Sequence, residues 1–249
     1  MKLRTILNLL TLVLTLVVNS LANILPLNGM NTGQISDSLP SLFTPAGYVF
    51  SIWSIIYIGL IAFGIYQALP SQRNNPRIER MGWWFVIANL FNSAWIFAWH
   101  YLQFGLSVVL MLGLLVSLLV IYERIGRRAA SRVETWTVNV PFSIYLGWIT
   151  VATVANIASL LVSLGWNGFG IPAVLTVVMI GVATLLGVLM ILLKREIAYP
   201  LVLIWAFAGI AAVRADVPLV EIGAIVAAAL LLLVMLARIG IGLKQRAKA

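Results

Sequence analysis

Eight apolar runs, residues 5–25, 47–69, 82–101, 106–122, 138–164, 171–193, 197–213 and 217–237, occupy most of this chain and leave only short connections between them. Each is close to the ~20 residues that an α-helix needs to cross the hydrocarbon of a bilayer. In lipid the backbone N–H and C=O groups find no water, so a crossing chain must form helices or a closed barrel. The runs are continuous rather than alternating, which selects helices. The expected fold is all-α, a polytopic membrane bundle of about eight helices. Only 9% of the 249 residues are charged, against ~25% in soluble domains. No polar stretch is long enough to fold as a separate soluble domain.

The formal net charge of +9 is explained by topology, so nucleic acid is not an expected partner. With the N-terminus inside and alternate loops assigned to the cytoplasm, the inner side holds Lys2 and Arg4, then Arg73, Arg77 and Arg80. It also holds Arg124, Arg127, Arg128 and Arg132, then Lys194 and Arg195, and finally Arg238, Lys244, Arg246 and Lys248. Of the 16 basic residues only Arg214 is left outside. The positive-inside rule therefore predicts cytoplasmic termini and an even number of spans, in a plasma or inner membrane. The prolines lie at or near run ends or in loops, where a missing N–H costs least. The first run has a second reading. Lys2 and Arg4 followed by apolar residues and Ser20-Leu21-Ala22 resemble a signal peptide, but the run is longer than the ~7–15 residues usual for one. A retained helix is the expectation.

Much chemistry is absent. There is no cysteine, which removes disulfides, thiolate metal sites and cysteine nucleophiles. The lone histidine, His100, stands at the outer end of the third run, and no lysine is mid-span. Asp37, Glu79, Glu123, Glu134, Glu196, Asp216 and Glu221 fall in loops or near span ends, whereas ion-coupled transporters place a carboxylate inside the bundle. No nucleophile–base pair or phosphate-cradling glycine loop is present. An enzyme is not the expectation.

What remains is uncharged polarity among aromatics. Eight of the nine tryptophans precede residue 170, and only Trp205 follows. This divides the chain into a five-helix module, residues 1–170, and a three-helix extension with a basic tail, residues 171–249. In the third run Asn92, Trp95 and Trp99 share a helical face, in the fifth Trp148, Ala152, Ala155 and Asn156 do, and in the second Trp53 and Tyr57 are a turn apart. Mid-bundle asparagines need partners in lipid, either across a helix interface or on a ligand. The spacing of the aromatics fits both helix packing and a ligand pocket, with packing the commoner use of such faces. Trp83, Trp84, Trp136 and Trp166, near span ends, fit an interfacial belt.

Three segments together resemble the translocator protein / tryptophan-rich sensory protein (TspO/MBR) family. Phe43-Thr44-Pro45-Ala46-Gly47-Tyr48-Val49-Phe50-Ser51-Ile52-Trp53-Ser54-Ile55-Ile56-Tyr57 is similar to the family's W-T-P-P-G-W-V-F-x-x-V-W-x-x-x-Y. Asn92-Ser93-Ala94-Trp95 is like its N-x-x-W. Trp148-Ile149-Thr150-Val151-Ala152-Thr153-Val154-Ala155-Asn156 reproduces its W-x-x-x-A-T-x-x-N. Phe43, Ala46 and Tyr48 depart from the pattern, and the likeness covers residues 1–166. It implies a divergent member with a five-helix bundle around a pocket for flat hydrophobic molecules, tetrapyrroles such as porphyrins above all. No cofactor is required beyond such a bound tetrapyrrole. The implied ligand-binding residues are Trp53, Tyr57, Asn92, Trp95, Trp148, Ala152 and Asn156, with loop 27–44 as a lid. Light-dependent porphyrin degradation is known in some members and has little support here. The alternatives are a transporter or permease for an apolar compound, and a membrane subunit whose last helices dock a partner or form a homo-oligomer.

Overall fold

The computed structural model describes residues 2–126 and 130–246. Arg127, Arg128 and Lys248, which belong to the predicted inner set, lie outside the described residues, as do the side chains of Lys244 and Arg246. Among the described residues there is no strand. Eight long helices form the molecule: α1 (Leu3–Ile24), α2 (Ile52–Ala68), α3 (Trp84–His100), α4 (Phe104–Ile125), α5 (Val140–Ser163), α6 (Pro172–Lys194), α7 (Ala198–Val213) and α8 (Pro218–Arg246). The punctuation is local. Pro172 and Pro218 open α6 and α8, where a proline's missing donor has no partner to lose. Gly126, at φ 59°, stops α4 in a conformation that side chains with a Cβ disfavour. A capping box between Ser131 and Glu134 starts the fifth run, which passes through a π-turn at Thr135–Asn139 into α5.

Six of these elements are long and apolar enough to cross a membrane: α1, α2 with its leading turn (Gly47–Ala68), α4, the continuous run Arg132–Ser163, α6 and α8. The remaining two have 17 and 16 residues, so they rise only ~24–26 Å. They are not isolated in lipid. α3 packs along α1 and α4, while α7 is held by α5, α6 and α8. One continuous apolar core joins all eight.

Hydrogen bonds at the helix ends show that the direction alternates. At one end Lys2 pairs with Glu79, Asn75 donates to Glu134 at 2.9 Å, and Lys194 meets Glu123 at 2.7 Å. The guanidinium of Arg77 reaches the carbonyls of Ile125 (3.0 Å) and Gly126 (2.5 Å) and Oδ1 of Asn139 (2.5 Å). This end therefore gathers the N-terminus and the α2–α3, α4–α5 and α6–α7 connections. It is the end that carries the predicted inner basic residues. Arg214 stands at the opposite end, beside the first loop.

Glu196 is the surprise of the basic end. Expected among the loop acids, it is only 1% exposed. α6 stops where Arg195 adopts a left-handed backbone (φ 56°), and Glu196 then lies between helices, its Oε1 accepting from the hydroxyls of Tyr122 and Ser143 at 2.8 Å each. These hydrogen bonds offset part of the cost of burying a carboxyl group.

Candidate functional site

The first loop is folded. Asn31 caps a short helix, Thr32–Asp37, by accepting from the N–H of Gln34 at 2.9 Å, and the Gln34 side chain accepts from the Asn31 N–H at 2.8 Å. His100 pins one side of the loop: its ring lies 3.0 Å from the Thr32 hydroxyl and 3.3 Å from the Leu27 carbonyl, and Asn28 donates to its backbone carbonyl at 3.1 Å. Arg214 pins the other, donating to the carbonyls of Ser41 (2.7 Å), Leu42 (3.1 Å) and Thr44 (3.2 Å). The lone histidine thus holds structure. Among the described residues no group of three or more His, Cys, Asp or Glu side chains could hold a metal ion.

Beneath this loop is a small cavity of about 30 Å³. The loop contributes Thr32 and Ser36, the approach to α2 contributes Pro45 and Phe50, and α2 contributes Trp53. α3 supplies Trp95 and Trp99, and α5 supplies Trp148, Val151, Ala152, Ala155 and Asn156. The aromatic rings are ordered. Tyr57, Trp53, Trp95 and Trp99 form a column of near-parallel rings, with successive centroids 5.5, 6.2 and 5.9 Å apart and interplanar angles of 24–27°. Trp148 meets Trp53 edge-on at 6.3 Å, and Phe50 meets Trp148 edge-on at 5.7 Å. Such offset-stacked and edge-to-face pairs are the geometries that the ring quadrupole favours.

On the other side of Trp53 a wider cleft of about 460 Å³ lies between α1 and α2. Asn19 and Asn23 of α1 and Trp53 and Tyr57 of α2 form its walls, and it shares Thr32, Phe50 and Trp53 with the small cavity. Trp53 therefore borders both the small box and the wider cleft.

A family model for TSPO-like proteins matches residues 5–237. The chain belongs to the TSPO-like family. The match runs through all eight helices, beyond the 1–166 covered by the three motifs. No curated protein and no solved structure matches the chain at a significant level.

In this TSPO-like protein the structure brings together five of the seven residues read from sequence. Trp53, Trp95, Trp148, Ala152 and Asn156 line the small cavity. Tyr57 lies one turn further along α2 and lines the cleft. Asn92 lines neither, which corrects its expected place. Its Oδ1 accepts from Asn19 of α1 at 2.8 Å, and its Nδ2 donates to the Tyr145 hydroxyl at 2.8 Å. Of the two ways to satisfy a mid-bundle asparagine, Asn92 takes the helix interface.

Trp99, Phe50, Thr32 and Ser36 were not among the expected lining. Trp99 carried a signal, since it follows Trp95 by four residues on one helical face, and Phe50 lies inside the first motif. Thr32 and Ser36 reach the cavity only because the loop folds back, which no periodicity in the sequence reports.

Proposed function

We propose that this protein is a membrane-embedded binding or sensory protein for a flat, hydrophobic small molecule of the tetrapyrrole class, seated between α1, α2, α3 and α5 under the first loop. The observation that carries this reading is the column of near-parallel rings from Tyr57 to Trp99 with Trp148 edge-on beside it. A planar π-system gains most from stacking on such a wall, while the small side chain of Ala152 leaves room beside Trp148. Ligand pockets occupy ~300–1,000 Å³. The box alone is far smaller, and the cleft of about 460 Å³ is within the range. The planar body of the ligand therefore lies in the cleft against Trp53 and Tyr57. We further propose that the basic end of the bundle faces the cytoplasm, so that both termini are inside and the lid loop is outside.

The test is a titration of protoporphyrin IX into the full chain in detergent. Tryptophan emission should fall saturably, because several indoles lie within transfer distance. Trp148→Leu should weaken binding about fivefold, because Trp148 meets Trp53 edge-on and holds that ring in the cleft wall, and a well-placed aromatic pair contributes ~1 kcal/mol beyond area burial. Trp205→Leu should change it little. Trp205 hydrogen-bonds the Val49 carbonyl at 3.1 Å and meets Tyr48 edge-on, away from the column. Equal affinities for parent and both variants would reduce Trp148 to a packing residue.

A further inference from the structure

Three residues in the wall of the small cavity carry a buried polar nitrogen that meets no acceptor in the protein: Nε1 of Trp95, Nε1 of Trp148 and Nδ2 of Asn156. These residues are 4%, 2% and 2% exposed. Pairing is otherwise the habit of this region. Trp99, next in the column, donates its indole N–H to the Thr32 carbonyl at 3.3 Å, and Asn156 accepts from Ser107 at 2.8 Å with its other amide atom. An indole N–H only donates, so the two tryptophans present donors whichever way the Asn156 amide is turned. A buried donor without an acceptor destabilises the fold. Two on facing helices, in one cavity wall, call for a shared acceptor.

We propose that the small cavity is an anchoring pocket for a single uncharged acceptor oxygen, the carbonyl of a ketone, amide or ester on the edge of the flat ligand. The indole N–H groups of Trp95 and Trp148 and the amide of Asn156 hold it. The inference rests on the proposed function and adds the polar half of recognition to the stacking half. Size supports a small group: the cavity's 30 Å³ exceeds the ~10–15 Å³ needed for one water-sized atom but cannot admit a ring system. Charge supports a neutral one. No charged side chain lines the cavity, so a carboxylate entering it would lose its hydration without gaining a cation. Position supports a tethered one, because Phe50 and Trp53 border both the cavity and the cleft where the planar body stacks.

The experiment compares three tricyclic probes on the full chain in lipid nanodiscs by titration calorimetry: 9-fluorenone, fluorene, and fluorene-9-carboxylate. Fluorenone and fluorene share a flat skeleton and differ in the carbonyl. Fluorenone should bind about tenfold more tightly than fluorene, the carboxylate should bind most weakly, and the carbonyl stretch of bound fluorenone should move to lower frequency than in hydrocarbon. Trp95→Phe and Trp148→Phe keep a flat ring but remove the N–H. Each should erase most of fluorenone's advantage while leaving fluorene's affinity unchanged, and Trp205→Phe should alter neither. The probe comparison and the infrared shift need no variant, so a substitution that fails to fold does not spoil the test. Equal binding of fluorenone and fluorene by the parent protein, or equal weakening of both by the Trp→Phe changes, overturns the anchor. If protoporphyrin IX still quenches saturably in that case, the anchor alone is lost. If neither the porphyrin nor any tricyclic binds, the proposed function falls with it.

Discussion

Helices α1–α5 and helices α6–α8 are held together by different chemistry, although hydropathy makes their sequences look alike. Within the first group, side chains hydrogen-bond from helix to helix: Asn8 to Gln67, Thr15 to Ser93, Asn19 to Asn92 to Tyr145, and Ser107 to Asn156. Within the second, the buried hydroxyls of Thr176 and Thr184 return to their own helix backbone. There close glycine contacts stand without such bonds, whereas the first group adds its hydrogen bonds to glycine contacts of its own, Gly59 on Pro141 and Gly113 on Phe91. A Cβ on Gly187 would fall within 2.7 Å of Leu231 and 2.8 Å of Leu203, and one on Gly223 within 3.1 Å of Val177. In lipid no hydrophobic drive brings apolar helices together, so polar contacts and close small-residue packing are the two available means. The first leaves directional groups inside the bundle where a ligand can use them. The second leaves only shape. This difference supports the proposed division near residue 170, in which the extension braces the site without lining the box.

The bracing can be broken where α7 meets the lid. The carbonyl of Gly209 accepts from the N–H of Ala46 at 3.1 Å. A Cβ at Gly209 would fall 2.1 Å from Val49 Cγ2 and 3.3 Å from Pro45, and Pro45 is in the cavity wall. Gly209→Leu should therefore show the largest effect, a loss of ~1–3 kcal/mol from overpacking, together with weaker porphyrin binding. Gly240→Ala, inside α8 with nothing within 4 Å, is the control and should not destabilise, since alanine is the better helix former by up to ~1 kcal/mol. Thermal unfolding in detergent measures both. An unchanged midpoint for Gly209→Leu would mean that the extension does not brace the first loop.

The polar half of the comparison is sharpened by Asn92→Leu against Thr184→Val. The first removes two interhelical bonds at once, leaving the Tyr145 hydroxyl without Asn92 and Asn19 with only its bond to the Thr15 carbonyl, and should cost ~0.6–2 kcal/mol, the range for interhelical hydrogen bonds in membranes. Thr184→Val removes only a bond to Ile180 of its own helix and should shift stability by less than ~0.5 kcal/mol. Reversible unfolding in mixed micelles compares them. Equal losses would erase the distinction between the two groups of helices.

The helices were legible because continuous apolar runs leave lipid-embedded backbone few alternatives, and most observed ends fall within a few residues of the runs. The aromatic wall was legible for a similar reason: Trp53, Trp95, Trp148, Ala152 and Asn156 lie on regular helices whose periodicity puts them on one face. Three things were not. The stripe Asn8, Thr11, Thr15 and Asn19 on α1 has helical spacing, yet scattered through apolar residues it reads as background until α3 is beside it. Thr32 and Ser36 depend on the folded loop, and Glu196 on a left-handed turn at Arg195, where no pattern announces the conformation. Asn92 was misplaced because a face shared with Trp95 does not say which neighbouring helix the side chain meets. Helix periodicity assigns faces, and tertiary packing assigns partners.

The smallest effect concerns acid at the basic end, where the two groups of helices are tied by different ion pairs. Glu134 belongs to the first. Burial pushes its carboxyl up, but hydrogen bonds from Asn75 and the Ser131 N–H and the nearby Arg77 outweigh this and hold it below the usual carboxylate range. Lys194–Glu123, which ties α6 to α4, is an exposed pair, with side chains 42% and 62% accessible. A carboxylate whose folded pKa is lowered contributes its full stabilisation above the unfolded value, ~4.3 for glutamate. That contribution is lost as pH falls through the folded value. The parent protein should therefore lose stability as pH drops below ~4.3. Glu134→Gln should flatten that slope and lower stability at neutral pH by roughly 1 kcal/mol, a typical figure for partly buried hydrogen bonds. Glu123→Gln should lower stability at neutral pH by less, because exposed pairs contribute ~0–1 kcal/mol and solvent screens them. Thermal midpoints of parent and Glu134→Gln from pH 7 to pH 3, and of Glu123→Gln at pH 7, decide the matter. A larger loss at pH 7 for Glu123→Gln than for Glu134→Gln would reverse the assignment, making the tie to the extension the stronger one at this end.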